Sequence, residues 1–335
     1  MIMRFGYRSL SVLSVVSLLS LGCARQDLYP DAGTFEVQFV LDGGGAGLSR
    51  ATAGPGETAV GEWCLYIVDT RGDVCDAVSA SSLSATRNFL PGHYTAYAIV
   101  NCGLSEDRFD TEDEILEYSR HLEDEKSAFS MSGRTGFNVP EVSVCAIPVL
   151  RLVSKVEIHR ISTDFSQYPD LAAKTFVIDS MYLVNVAGES ALYNDISGIP
   201  ALWYNKRRYS ASPADDILCE RISAEVPPAG AYSAPHYFYC YQNNAGSDSH
   251  SEVWSPRHTR LVLACTIGHR KTYYPIDVVN SEGLLARNCR FLINDLVITD
   301  LGTDKPDDSI TGSLPYRFTY VTAPWEEIYT IDEVL

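Results

Sequence analysis

From residue 34 the stretch TFEVQFVLD alternates strictly, with Phe35, Val37, Phe39 and Leu41 on one side of a pleat and Thr34, Glu36, Gln38 and Val40 on the other. A period of two belongs to a strand. Strand-like stretches recur as WCLYIVDTRGDVCDAV, with a hairpin turn at Thr70 to Asp73, and as PGHYTAYAIVN, LRLVSKVEI and KTFVIDSMYLVNV. AYSAPHYFYCYQ, RLVLACTIG, KTYYPIDV, CRFLINDLVITD and RFTYVTAPWEEIYTI continue the series, separated by loops rich in Ser, Asp, Asn and Pro. Such spacing predicts an all-β chain of sandwich type with few short helices. The clearest helix is expected over 110–125, DTEDEILEYSRHLEDE, with Asp110 or Thr111 as cap and Ile115, Tyr118, Ser119 and Leu122 near one face.

The N-terminus lies outside this pattern. Arg4 and Arg8 precede an apolar run from Leu10 to Leu21, and residues 1–22 read as a signal peptide. The run ends in Ser20-Leu21-Gly22-Cys23, where a bacterial lipoprotein is cut and its cysteine acylated with fatty acid such as palmitate. Ser20 stands where such sites usually carry Leu, and the alternative is ordinary cleavage beside an incidental Cys23. No later stretch approaches the ~20 apolar residues of a membrane-spanning helix, so attachment to an outer membrane is expected through lipid alone.

The roughly 310 residues after Cys23 suggest two domains of about 150 residues. A boundary is expected near Pro148, after which Leu150, Leu152, Val156 and Ile158 begin a fresh strand, so the domains run over 23–147 and 148–316. The first opens with the strand at 33–42 and continues into GGGAGLSRATAGPGET, residues 43–58, whose composition is that of an open loop a protease can enter.

Nothing in the chain asks for catalysis, and neither a cofactor nor a metal is expected. The seven histidines are scattered without an HExxH pair, GGGAG feeds into more loop rather than a helix, and no GxSxG elbow occurs. The acidic cluster from Asp107 to Asp113 lacks the spacing and glycine of a calcium loop. A net charge of -17 disfavours nucleic acid as a partner. Eight cysteines beyond Cys23 are too widely spaced for zinc pairs, and most sit among apolar strand residues, so at most two disulfides are expected. Arg71-Gly72-Asp73 spells a tripeptide that adhesion receptors read, but Gly-Asp is also what a hairpin tip requires.

The last third carries a resemblance. TYYPIDVV, ARNCRFLINDLVITDLGTDKPDDSI and FTYVTAPWEE resemble the C-terminal region of fimbrillins, the FimA-type subunits of the type V pilus in Bacteroidota. The matching features are Tyr-Tyr-Pro before a strand, Arg287-Asn288 with Phe291, the strand through Ile298, Gly302 with the turn at Asp304 to Asp308, and Trp325. Weaker echoes reach forward through LRLVSKVEI and PGHYTAYAIVN to the lipoprotein signal.

The resemblance implies two transthyretin-like β-sandwich domains in a lipoprotein precursor exported to the cell surface, where it joins other copies of itself or related pilus subunits in a fimbrium. It also implies proteolysis after an arginine in the first long loop, a place occupied here by Arg50 before Ala51. The strand carrying Phe35, Val37, Phe39 and Leu41 is then displaced, and its groove accepts a strand from a neighbouring subunit. The expected donor is the C-terminal segment 317–335, which carries Phe318, Tyr320, Val321, Trp325, Ile328 and Ile331. Alternatives are a tip or anchor subunit of the same pilus, or a surface lipoprotein that binds a host or bacterial glycan or protein without polymerising.

Overall fold

The stretch TFEVQFVLD forms β1 (Phe35–Asp42) with Val37, Phe39 and Leu41 turned inward, as its alternation predicts. A computed structural model describes residues 33–42, 57, 60–193, 200–228, 230–245, 253–308 and 313–325. After β1 come β2 (Trp63–Asp69), β3 (Val74–Ala80), β4 (Ser84–Phe89), β5 (Gly92–Val100), helix α1 (Glu112–Glu117), β6 (Ser119–His121) and β7 (Met131–Val139). Then follow β8 (Val144–Pro148), β9 (Leu150–Arg151), β10 (Val153–Ile158), β11 (Ile161–Thr163), α2 (Pro169–Ala172) and β12 (Phe176–Val184). The short β13 (Val186–Ala187), β14 (Glu189–Ala191) and β15 (Trp203–Tyr204) lead to α3 (Asp215–Leu218). The remaining strands are β16 (Cys219–Val226), β17 (Ala231–Tyr232), β18 (His236–Tyr241), β19 (Arg260–Ile267), β20 (Arg270–Asp277), β21 (Cys289–Ile298) and β22 (Tyr316–Pro324).

Two sandwiches result. In the first, a three-stranded sheet ordered β4-β1-β8 faces a five-stranded sheet ordered β3-β2-β5-β7-β9. Val37, Phe39 and Leu41 meet Trp63, Leu65, Ile67, Ala98 and Phe137 between them. Near the end of β8 the two sheets nearly touch, and a Cβ on Gly133 of β7 would lie 2.0 Å from the Pro148 carbonyl oxygen. In the second, the four-stranded sheet β16-β12-β19-β20 packs on the sheet β17-β11-β21-β10-β18, to which β22 adds through β21. The chain changes sandwich at Leu152, since β9 still pairs with β7 whereas β10 pairs with β18 and β21. A continuous apolar core runs from the back of β2 and β5 into the second sandwich, and the chain from Thr34 onward holds together as one unit.

The helix expected over 110–125 is shorter. Thr111 caps α1 by accepting a hydrogen bond from the Glu114 amide at 3.3 Å, but the helix ends at Glu117. Residues 119–121 pair instead with β14, and Leu122–Lys126 form a 3-10 turn in which Glu125 is buried. Pairing with β14 and the hydrogen bond from the Leu122 amide to the Gly188 carbonyl take the backbone that a longer helix would have used.

Candidate functional site

β1 is the middle strand of its sheet. It runs antiparallel to β4, from Phe35 opposite Phe89 to Val40 opposite Ser84, and parallel to β8, from Gln38 opposite Val144 to Asp42 opposite Pro148. The Gln38 amide donates to the Ser143 carbonyl at 2.9 Å and the Leu41 amide to Leu83 at 3.0 Å. Val37 and Phe39 are 0% exposed and Leu41 is 8% exposed. The Phe39 ring meets Phe137 and Phe89 edge-on at 5.2 and 5.9 Å. Burying these three side chains is worth roughly 5–9 kcal/mol before ordering costs. Phe35 corrects the sequence reading, because it is 40% exposed and fills no pocket. It begins the strand ahead of the stretch where β8 pairs, so only β4 flanks it.

The C-terminal stretch is seated in this chain's own fold. β22 pairs antiparallel with β21, from Tyr316 opposite Ile298 to Pro324 opposite Cys289, with one bulge near Asp295. Arg290 pairs with Lys155 of β10 on one side and Ala323 of β22 on the other, so β22 closes the side of β21 that β10 leaves open. Tyr316, Phe318 and Tyr320 share the face turned to the core. Tyr316 packs against Tyr274, Phe318 lies between Tyr316 and Tyr320, and Tyr320 stacks on Phe291 at 5.1 Å. Val321 is half-buried, and no strand pairs with the far edge of β22 among the described residues. Over 317–325 the expected donor segment 317–335 is therefore covered by its own chain in this conformation. β21 offered an unpaired edge close by in sequence, and β22 took it. Cys23, Arg50, Ala51, Ile328 and Ile331 lie outside the described residues.

At the end of β22 stands a cluster that alternation conceals. The Lys155 ammonium is 2.9 Å from Glu57 Oε1 and 3.6 Å from Glu157 Oε2, and all three side chains are almost wholly buried. The Tyr239 hydroxyl donates to Glu57 Oε1 and Arg151 Nε donates to the Glu57 carbonyl at 2.9 Å. Burial, followed by the bond to Glu57, raises the Tyr239 pKa and keeps that hydroxyl a donor. Burial alone would raise the Glu157 pKa, but the hydrogen bonds from Arg290 and His159 hold its carboxyl below the usual range. Trp325 lies over the Arg151 guanidinium at 4.7 Å and stacks on Tyr239 at 6.0 Å, while its amide donates to the Asn288 carbonyl. Lys155 and Glu157 alternate with apolar residues as solvent-facing charges do, so no sequence signal marked them as buried.

The remaining candidates have structural partners. Arg71 closes on Asp69 at 2.8 Å and Asp73 at 3.0 Å, so the charges of the tripeptide face each other at the β2–β3 turn. The eight described cysteines are free. Burial pushes the Cys145 thiol up to about 11 and Cys240 to about 12, which leaves both protonated and unreactive at neutral pH. His236 is buried between Glu220, at 2.6 Å, and the Tyr232 hydroxyl, at 2.9 Å, and so joins β16, β17 and β18. Among the described residues no group of three or more His, Cys, Asp or Glu side chains is placed to hold a metal.

The sequence matches no family model and no curated protein. Solved structures do match. A candidate cell adhesion protein from Bacteroides eggerthii superposes with a TM-score of 0.64 at 14% identity, over 88% of this chain and 97% of that one. A fimbrilin (FimA) from Porphyromonas gingivalis gives 0.63 at 13% identity, over 89% and 99%. The C-terminally truncated tip fimbrial protein Mfa3 of the same organism gives 0.50 at 12%, over 87% and 100%. Across nearly its whole length, then, this chain has the all-β fold that is also found in a fimbrilin.

Proposed function

We propose that the chain is a non-enzymatic structural subunit of a cell-surface fimbrium, and that it polymerises by exchange of its first strand. The observation that carries this reading is the position of β1. It is a middle strand paired on both sides, it fills three apolar pockets, and residues 43–62 separate it in sequence from β2. A cut after Arg50 removes the covalent hold on β1. Its departure leaves a slot lined by Phe89 and Phe137, with two unpaired edges on β4 and β8 that template a new strand. The precursor is acylated at Cys23 and travels to the surface by way of the outer membrane. Because β22 is bound in its own sheet, the donor is taken to be the residues beyond Trp325, including Ile328 and Ile331. The test is the first residue of the protein recovered from cells. Assembled material should begin at Ala51 and the precursor at acylated Cys23, and filaments that retain residues 34–42 in the same chain would overturn the reading.

A further inference from the structure

Glu57 and Trp325 belong to opposite ends of the chain but lean on the same two side chains. Tyr239 gives its hydroxyl to the Glu57 carboxylate and its ring face to Trp325, which lies parallel to it within 16°. Arg151 gives its Nε to the Glu57 carbonyl and the plane of its guanidinium to Trp325. Phe129 closes the cluster, 4.6 Å from Tyr239 and 5.8 Å from Trp325. Each support is thus oriented by Glu57 at one end and used by Trp325 at the other.

The charges make this contact hard to replace. Glu157 is served by Arg290 at 2.8 Å and by His159 as well as by Lys155. The Glu57 carboxylate, 1% exposed, relies on Lys155 as its ion-pair partner among the described residues. Withdrawing it leaves a buried ammonium short of its nearer carboxylate and a buried phenol without its acceptor, both of which are costly. Trp325 is the member of the cluster next to a strand end. Trp325 holds that end because its backbone amide donates a hydrogen bond to the carbonyl of Asn288, whose side chain also accepts from Arg151 Nη1 at 3.3 Å.

We propose that Glu57, which follows the first strand in sequence, is a latch that controls the seating of the C-terminal strand. With Glu57 docked, Trp325 is clamped and β22 stays on β21. With Glu57 withdrawn, the clamp opens and β22 frays from its Pro324 end, freeing the C-terminal segment for a second copy of this chain. Only that last clause, the partner, rests on the fimbrial reading.

Hydrogen exchange on the full chain tests the latch, and filament formation is not its readout, so failure of one does not imply failure of the other. Glu57→Ala should raise amide exchange at least 10-fold in residues 317–325 and in their partners 289–297, while β1, β12 and β19 keep the wild-type rate. Should Glu57→Ala fold poorly, Glu57→Gln, which keeps an acceptor for Tyr239, should show a smaller effect in the same segments. Unchanged exchange in 317–325, or a rise spread evenly over the whole chain, would overturn the proposal.

Discussion

Glu125 and Glu157 are both buried carboxylates, yet their surroundings push them in opposite directions. Burial dominates at Glu125 and raises its pKa, in spite of hydrogen bonds from the Ser130 amide and the Tyr241 hydroxyl. The folded state therefore holds that proton more tightly than the unfolded state does. The stability it contributes is fully present below the ordinary glutamate value of roughly 4.3 and is lost as pH rises through the elevated one. Glu125→Gln keeps an acceptor for the Ser130 amide, turns its own N–H toward the Tyr241 oxygen and removes the charge. It should melt above the wild type at pH 8, with the difference shrinking toward pH 4 in a thermal scan. Glu157, with its lowered pKa, contributes stability above the ordinary value that disappears as pH falls through the lowered one. Glu157→Gln should accordingly melt below the wild type at pH 7 and approach it in acid. Gly302 is decided by space rather than charge, since a Cβ there would sit 2.1 Å from the Tyr273 carbonyl oxygen. The next residue, Thr303, pairs with Tyr273, so Gly302→Ala should push the turn at 301–308 off β20 and cost about 1–3 kcal/mol in denaturant unfolding.

Among the strands, β1 and β22 differ in how firmly their own chain needs them. Phe39→Ala empties the central pocket of the first sandwich and should cost about 3–5 kcal/mol, whereas Phe35→Ala should cost less than about 1 kcal/mol because that ring is already 40% exposed. Equal losses in urea titrations of the two variants would contradict the three-pocket description. For β22 the informative comparison is between two truncations. Removing residues 314–335 strips Tyr316, Phe318, Tyr320 and Trp325 from the second sandwich and should lower its Tm markedly. Removing only 326–335 should leave the Tm near that of the full chain while abolishing assembly, if those residues are the donor. A truncation at 314 that melts like the full chain would show that β22 is dispensable to its own fold.

At the scale of the molecule, the interleaving of strand and loop was legible from residue patterns because a period of two, once one face is buried, leaves little choice of conformation. The hairpin at Thr70 to Asp73, the cap at Thr111 and the inward turn of Val37, Phe39 and Leu41 follow from nearest neighbours along the chain, and they stand where the sequence placed them, whereas Phe35 does not. Partner choice is a different kind of information. That β1 lies between β4 and β8, that β22 closes β21, and that β6 interrupts the expected helix to meet β14 depend on residues far apart in sequence. The Glu57, Lys155, Arg151, Tyr239 and Trp325 cluster is the strongest case. Its charged residues read locally as solvent-facing, and only the docking of residue 57 on β10 and β18 makes them buried. The sequence by itself determined which segments become strands and which side of each is apolar, because those are local properties of side-chain order. The tertiary structure alone decided which edges pair and which charges lose water, because hydrogen bonding along a strand edge is indifferent to side-chain identity until packing selects one neighbour.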